Sequence, residues 1–208
     1  MPDPRNEQLI DQPRAVRDED LFDIDALDAW LKAHIEGLEG RHEVEQFPKG
    51  ASNLTYRLRY AGRDLILRRP PAGTKAKSAH DVIREYRIQQ ALKPAFPKVP
   101  RMLAACEDHD VIGSDFYVME RIEGIIPRAN MPKGFRLSGK QTRELCRNAI
   151  DALIELHSVD VESAGLDQLA KGAGYNRRQI DGWSGRFRKA KTWNVLNGEK
   201  VMRWLDRH

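Results

Sequence analysis

The chain has 208 residues, 40% of them hydrophobic and 32% charged, with a formal net charge of +4. That length allows one or two domains with a sizeable core, and the mixture suits a soluble globular protein. No apolar run approaches the roughly 18 residues that a membrane helix needs, the first twenty residues lack the apolar core of a signal peptide, and two cysteines in unrelated contexts, Cys106 and Cys146, build neither a metal spacing nor a disulfide framework. A reducing cytosol is the expected compartment, with no membrane as partner.

Residues 1–19, rich in proline and charge, are expected to form a mobile arm. Ile24, Leu27, Leu31, Ile35 and Leu38 recur at helical spacing, which predicts a helix over 23–38 closed by Gly37 and Gly40. Short strands follow at about 42–47, 54–60 and 63–69. The first two are joined by the small, polar turn Gly50-Ala51-Ser52-Asn53, the second and third by Ala61-Gly62. Pro70 and Pro71 stop the third strand. Ser78, with Asp81 three residues on, predicts a capped helix over 78–92. "RMLAACE" and "SDFYVMERI" read as two more strands, and the intervening "EDHD" as a solvated turn. The remainder is predicted to be helical at 138–158, 177–190 and 193–207. The pattern is α+β: a helix, five strands with one helix inserted after the third, then only helices.

Three features carry candidate chemistry. Backbone amides in a turn of small residues can face phosphate oxygens, and a serine hydroxyl can add a donor; the same turn is also an ordinary hairpin connection. In the third strand Ile66 and Arg68 share one face, opposite Leu65, Leu67 and Arg69. Arg68 can meet a ligand there, or simply snorkel at a strand end. In the inserted helix Glu85 falls at the edge of the apolar stripe, away from Arg84 and Arg87. A carboxylate facing a sheet needs a cation, and Arg68 is the candidate; an exposed glutamate is the alternative. His157, on an apolar helix, is expected to be a hydrogen-bonded core histidine. The basic, aromatic tail from Tyr175 fits amphipathic helices with a solvated face better than a nucleic-acid surface, and it also suits anionic small molecules.

Taken in order, "FPKGASNLTYRL", "LILRRPP", "SAHDVIREYRIQQAL", "VPRMLAACEDHDVIGSDFYVMERIEG" and "ALIELHSVD" resemble the aminoglycoside phosphotransferase family, in the branch related to phosphotransferase domains fused to acyl-CoA dehydrogenases. The resemblance implies a protein-kinase-like fold. Its parts are an arm and helix (1–41), a five-stranded antiparallel N-lobe that binds nucleotide (42–119), a hinge (120–125) and an incomplete helical C-lobe (126–208). It implies transfer of the γ-phosphate of ATP or GTP to a hydroxyl of a small molecule, with Mg2+ as cofactor. Gly50, Ser52 and Asn53 fall in its phosphate loop, Glu85 at its partner glutamate, and Met119, Glu120, Arg121 and Ile122 at its hinge. Arg68 stands where the family has a lysine, a departure that keeps the charge on a planar group that cannot be deprotonated. The family's H-G-D catalytic loop and its later metal-binding Asp have no counterpart in the sequence. The expectation is therefore the front part of a phosphotransferase, inactive by itself, whose apolar helices self-associate or bind a further C-terminal segment. A non-catalytic module for nucleotide or acyl-CoA is the alternative.

Overall fold

The computed structural model describes residues 9–48, 53–71, 80–127, 130–132, 134–169 and 172–208. They form two compact units, Met1–Leu166 and Asp167–His208.

The first unit is built on an antiparallel sheet: β1 (Glu43–Gln46), β2 (Leu54–Tyr60), β3 (Arg63–Arg69), β4 (Met102–Cys106) and β5 (Phe116–Glu120), in the spatial order β1-β2-β3-β5-β4. Strand alternation sorts its side chains. Leu58 lies opposite Leu65, and Tyr56 opposite Leu67, which in turn faces Val118. These residues point to one side and pack against Leu27 and Leu31 of α1 (Ile24–His34). Both leucines are fully buried, each worth about 2 kcal/mol in apolar area. Asp23 caps α1 by accepting from the amides of Asp25 and Ala26. The helix stops at His34, short of the predicted Leu38, because Ile35 is already extended and Gly37 turns the chain at φ +72°. Ile35 and Leu38 still enter the core, so the apolar spacing marked burial beyond the helix.

The opposite side of the sheet carries Thr55, Ile66, Arg68, Tyr117 and Met119, linked by the pairs Thr55–Arg68, Ile66–Met119 and Arg68–Tyr117. Here α2 (Val82–Leu92) packs its Val82 and Ile83 on Met102 and Tyr117. Helix α2 begins later than predicted. Asp81 is its cap, accepting from the Arg84 amide at 2.9 Å, and Ser78 lies outside the described residues. A short α3 (His109–Ile112), capped by Asp108, replaces the expected plain turn. The cap is worth a helical turn because its carboxylate satisfies an otherwise unpaired amide.

Residues 9–20 are no free arm. Arg14 and Gln46 exchange both backbone hydrogen bonds, at 2.8 and 2.7 Å, along the edge of β1. The Gln46 side chain accepts from the Arg17 amide and donates to the Asp20 carboxylate. The Asp20 carbonyl is then reached by Arg69 and Tyr56. A helix α4 (Gly139–His157) opens with a Ser138/Gln141 capping box. It has no buried residue among those described, and His157 is exposed rather than a core histidine. Its apolar stripe, including Ile150 and Ile154, is likewise exposed, so the side chain has no apolar cover to enter.

The second unit holds α5 (Tyr175–Ala190) and α6 (Glu199–Arg207), tied by Arg188–Glu199 at 2.8 Å and by Arg177 to Asp206. Residues 192–198 are not helical, which shortens the helix predicted over 193–207. The Asn197 side chain accepts from the Glu199 amide and starts α6 there.

Candidate functional site

The α2 side of the sheet gathers most of the sequence-predicted residues. Arg68 Nη2 stands 3.5 Å from Glu85 Oε2, with the two side chains 29% and 36% exposed. Glu85 is the hub of a wider network. Its Oε1 accepts from Asn53 Nδ2 at 2.8 Å, and its Oε2 accepts from the Tyr117 hydroxyl at 3.2 Å. Asn53 is buried, and its carbonyl oxygen lies 3.0 Å from His80 Nδ1. The Tyr117 hydroxyl also receives Gln89 Nε2. Burial pushes the Tyr117 pKa up to about 12, so the phenol remains a donor to Glu85. Tyr117, His80 and Gln89 were not singled out in the sequence. Alternation along β5 from Met119 was the signal available for Tyr117. Nothing in the sequence marked His80, a non-glycine residue at φ +63°. Gly50 and Ser52 lie outside the described residues.

Arg68 keeps an unmet donor. Its Nε is buried with no hydrogen-bond partner among the described residues. A buried N–H left in this way costs free energy unless an acceptor arrives.

Next to this network lies a pocket of about 270 Å³, lined by Thr55, Ile66, Met119, Ile122 and Ile126 among others. Ile66 and Arg68 are two residues apart on one face of β3, so the pocket floor and the guanidinium's strand position are about 7 Å apart. The residues that the resemblance places at a hinge differ in their freedom. The Glu120 amide donates to the Arg101 carbonyl, and the Arg121 amide to the Asp64 carbonyl. The Glu120 carboxylate is held by the Arg101 amide at 2.7 Å and by Lys93 at 3.5 Å. The Arg121 guanidinium reaches Asp64, which Arg57 grips with two nitrogens. Burial would raise the Asp64 pKa, but these two cations outweigh it and hold it low. Ile122 is different: it is exposed, and its amide has no partner among the described residues. No group of three or more His, Cys, Asp or Glu stands together as a metal site among the described residues, so none is assigned to magnesium.

This arrangement is a five-stranded antiparallel sheet with a helix-borne carboxylate reaching a strand-borne cation beside a pocket. It is the fold of a protein-kinase-like N-lobe, and the comparisons agree on that fold. A profile described as the Phosphotransferase enzyme family matches residues 43–208, and the chain belongs to that family. Among curated proteins it is 37% identical over 204 residues to acyl-CoA dehydrogenase family member 10 of Mus musculus, covering 96% of this chain and 18% of that one. It is 32% identical to family member 11 of Rattus norvegicus, covering 90% of this chain and 24% of the relative. The chain thus spans a quarter or less of those relatives' lengths. A crystal structure of a candidate aminoglycoside phosphotransferase from Ralstonia eutropha superposes with a TM-score of 0.67 at 32% identity, covering 90% of this chain and 54% of the other. The type I macrolide 2'-phosphotransferase shares the fold at a TM-score of 0.51 and 21% identity, covering 92% of this chain and 61% of the other.

Proposed function

We propose that this stretch binds the nucleotide for a phosphotransferase that modifies a hydroxyl of a small molecule. The base occupies the pocket between Ile66 and the hinge, with the Ile122 amide as a donor to its edge. The phosphates lie toward Arg68, whose buried, unpartnered Nε is the observation that carries the reading. An acceptor placed there meets a charged donor already held in orientation, and a charge-assisted bond is stronger than a neutral one. Glu85 positions Arg68 and is itself positioned by Asn53 and Tyr117. Arginine serves here as a fixed, planar cation and takes no part in proton transfer.

ATP and GTP both fit this reading, with magnesium joining the phosphates in the whole protein. The kinship with acyl-CoA dehydrogenase family members favours a hydroxyl on an acyl chain, carried as a coenzyme A ester, over an aminoglycoside. The family's H-G-D loop does not occur in these 208 residues, so binding without turnover is expected of the chain by itself. A cytoplasmic setting is part of the proposal; no helix among the described residues is long and apolar enough to cross a membrane.

Thermal melts with millimolar ATP or GTP test the reading. Nucleotide bound only by the folded state raises Tm through mass action, by about 2.7 kcal/mol of stability at a hundredfold excess over Kd. Arg68→Ala and Ile122→Pro, the latter removing a single N–H, should each shrink that rise. No rise in the unaltered chain at millimolar nucleotide would sink the assignment.

A further inference from the structure

The pocket has a wall that belongs to neither the sheet nor the hinge: Ile10 and Asp11 line it together with Ile66 and Ile122. Both are partly buried. They are the leading part of the strap that runs to Asp20, and that strap is fastened at several points. Arg14 forms its two-bond bridge to Gln46, the Arg17 amide reaches the Gln46 side chain, and Asp20 is buried under Arg69 and Tyr56. A segment bound this firmly to the edge strand holds its leading residues in place against the pocket.

We infer that residues 9–14 are a built-in wall of the nucleotide site, and that Ile10 is a specificity-determining residue which packs against the nucleobase. The inference rests on the nucleotide reading above. Its chemistry is apolar contact: a planar base between Ile66 and Ile10 loses water from both faces, whereas the phosphates gain nothing from this wall. The strap therefore sets affinity for nucleoside phosphates over simple polyphosphates. Because its anchors lie at Arg14, Arg17 and Asp20, Ile10 can be altered without loosening the fold.

Calorimetric titration of the chain with ATP, and separately with inorganic tripolyphosphate, tests this. Ile10→Ala should weaken ATP binding by about tenfold, from the apolar area lost, and leave tripolyphosphate binding unchanged; Ile10→Leu should restore ATP binding. Ile66→Ala, on the pocket floor, serves as the reference. If Ile66→Ala weakens ATP binding while Ile10→Ala does not, the strap is no part of the site and the nucleotide reading stands. Equal weakening of ATP and tripolyphosphate by Ile10→Ala would show a general disturbance and overturn the inference. If the unaltered chain binds neither ATP nor GTP, both readings fall together.

Discussion

The two faces of the sheet place adjacent arginines in opposite conditions. On the α1 side Arg69 is only 8% exposed. It donates to the Tyr56 hydroxyl at 3.1 Å, the Ile112 carbonyl at 3.4 Å and the Asp20 carbonyl at 2.6 Å. Its guanidinium also lies over the rings of Phe22 and Tyr56, at 5.0 and 5.4 Å. On the α2 side Arg68 is more open, has one carboxylate at 3.5 Å and retains a buried Nε with no partner among the described residues. A saturated cation is a fastener, here between strap, strand and α3. An unsaturated one is, in the proposed reading, where the phosphates bind. On that proposal the sequence pair "RR" at the end of β3 divides stability from binding by strand alternation.

The largest expected effect tests the saturated side. Arg69→Met keeps the aliphatic stem but strips donors from two backbone carbonyls and a buried hydroxyl. A loss of about 3 kcal/mol is expected, read as a lower midpoint in urea unfolding with unchanged slope. Nucleotide affinity of the folded fraction should fall less than with Ile10→Ala, because the Arg14–Gln46 bridge still holds the strap. A loss near that of an exposed arginine, below about 0.5 kcal/mol, would break the contrast between the two faces.

Much of this division was legible in the sequence. The strand limits at Leu54–Tyr60 and Arg63–Arg69 follow from alternation and from the Ala61-Gly62 turn. The meeting of Arg68 and Glu85 follows from strand and helix periodicity together. What stayed hidden depends on contacts distant in sequence. The strap looked mobile because nothing local shows that Arg14 pairs with Gln46 at a sequence separation of 32 (the same as separates Asn53 from Glu85). Alternation placed Arg69 on the face opposite Arg68 but not its role, since its acceptors are backbone carbonyls of Asp20 and Ile112, which no pattern of side chains announces. His157 was misjudged for the same reason: an apolar helix predicts a stripe, and whether anything covers it is a tertiary matter.

A middle-sized effect concerns pH, again on the α1 side of the molecule. The His42 side chain is fully buried, with Nδ1 2.8 Å from Asp28 and Nε2 lacking any partner among the described residues. Burial lowers its pKa from the ordinary 6.5, outweighing the pull of Asp28, and the Lys32 and Arg41 charges add to the lowering. A second proton would sit on the unpartnered Nε2, which is why burial prevails. The folded chain therefore resists protonation that the unfolded chain accepts. The stability is intact above pH 6.5 and declines as pH falls from there toward the folded-state value. For Asp28 burial pushes upward, but bonds from Lys32, His42 and Tyr60 hold it at about 2 against an ordinary 3.8. Its contribution is present above 3.8 and is lost as pH drops through that window. Urea midpoints should thus fall in two stages on acidification, the first at no more than about 1.4 kcal/mol per pH unit. His42→Gln should abolish the first stage and spare ATP binding. A first stage that persists in this variant would assign it to another group.

The smallest expected effect lies on the open face and asks how open it is. Arg68 and Glu85 are 3.5 Å apart and both about a third exposed, so solvent screens their attraction. A double-mutant cycle of Arg68→Ala and Glu85→Ala should give a coupling of about 0.5 kcal/mol, the scale of surface pairs. The single variants should differ. Glu85→Ala also deprives Asn53 and the Tyr117 hydroxyl of their acceptor, and should cost more stability than Arg68→Ala. Saturating ATP should enlarge the coupling, because phosphate and carboxylate then share one guanidinium and Glu85 orients what the phosphate binds. A coupling of about 3 kcal/mol without nucleotide is the scale of a buried pair. That result would make this face as closed as the one around Arg69, and the case for a ligand at Arg68 would lose its physical basis.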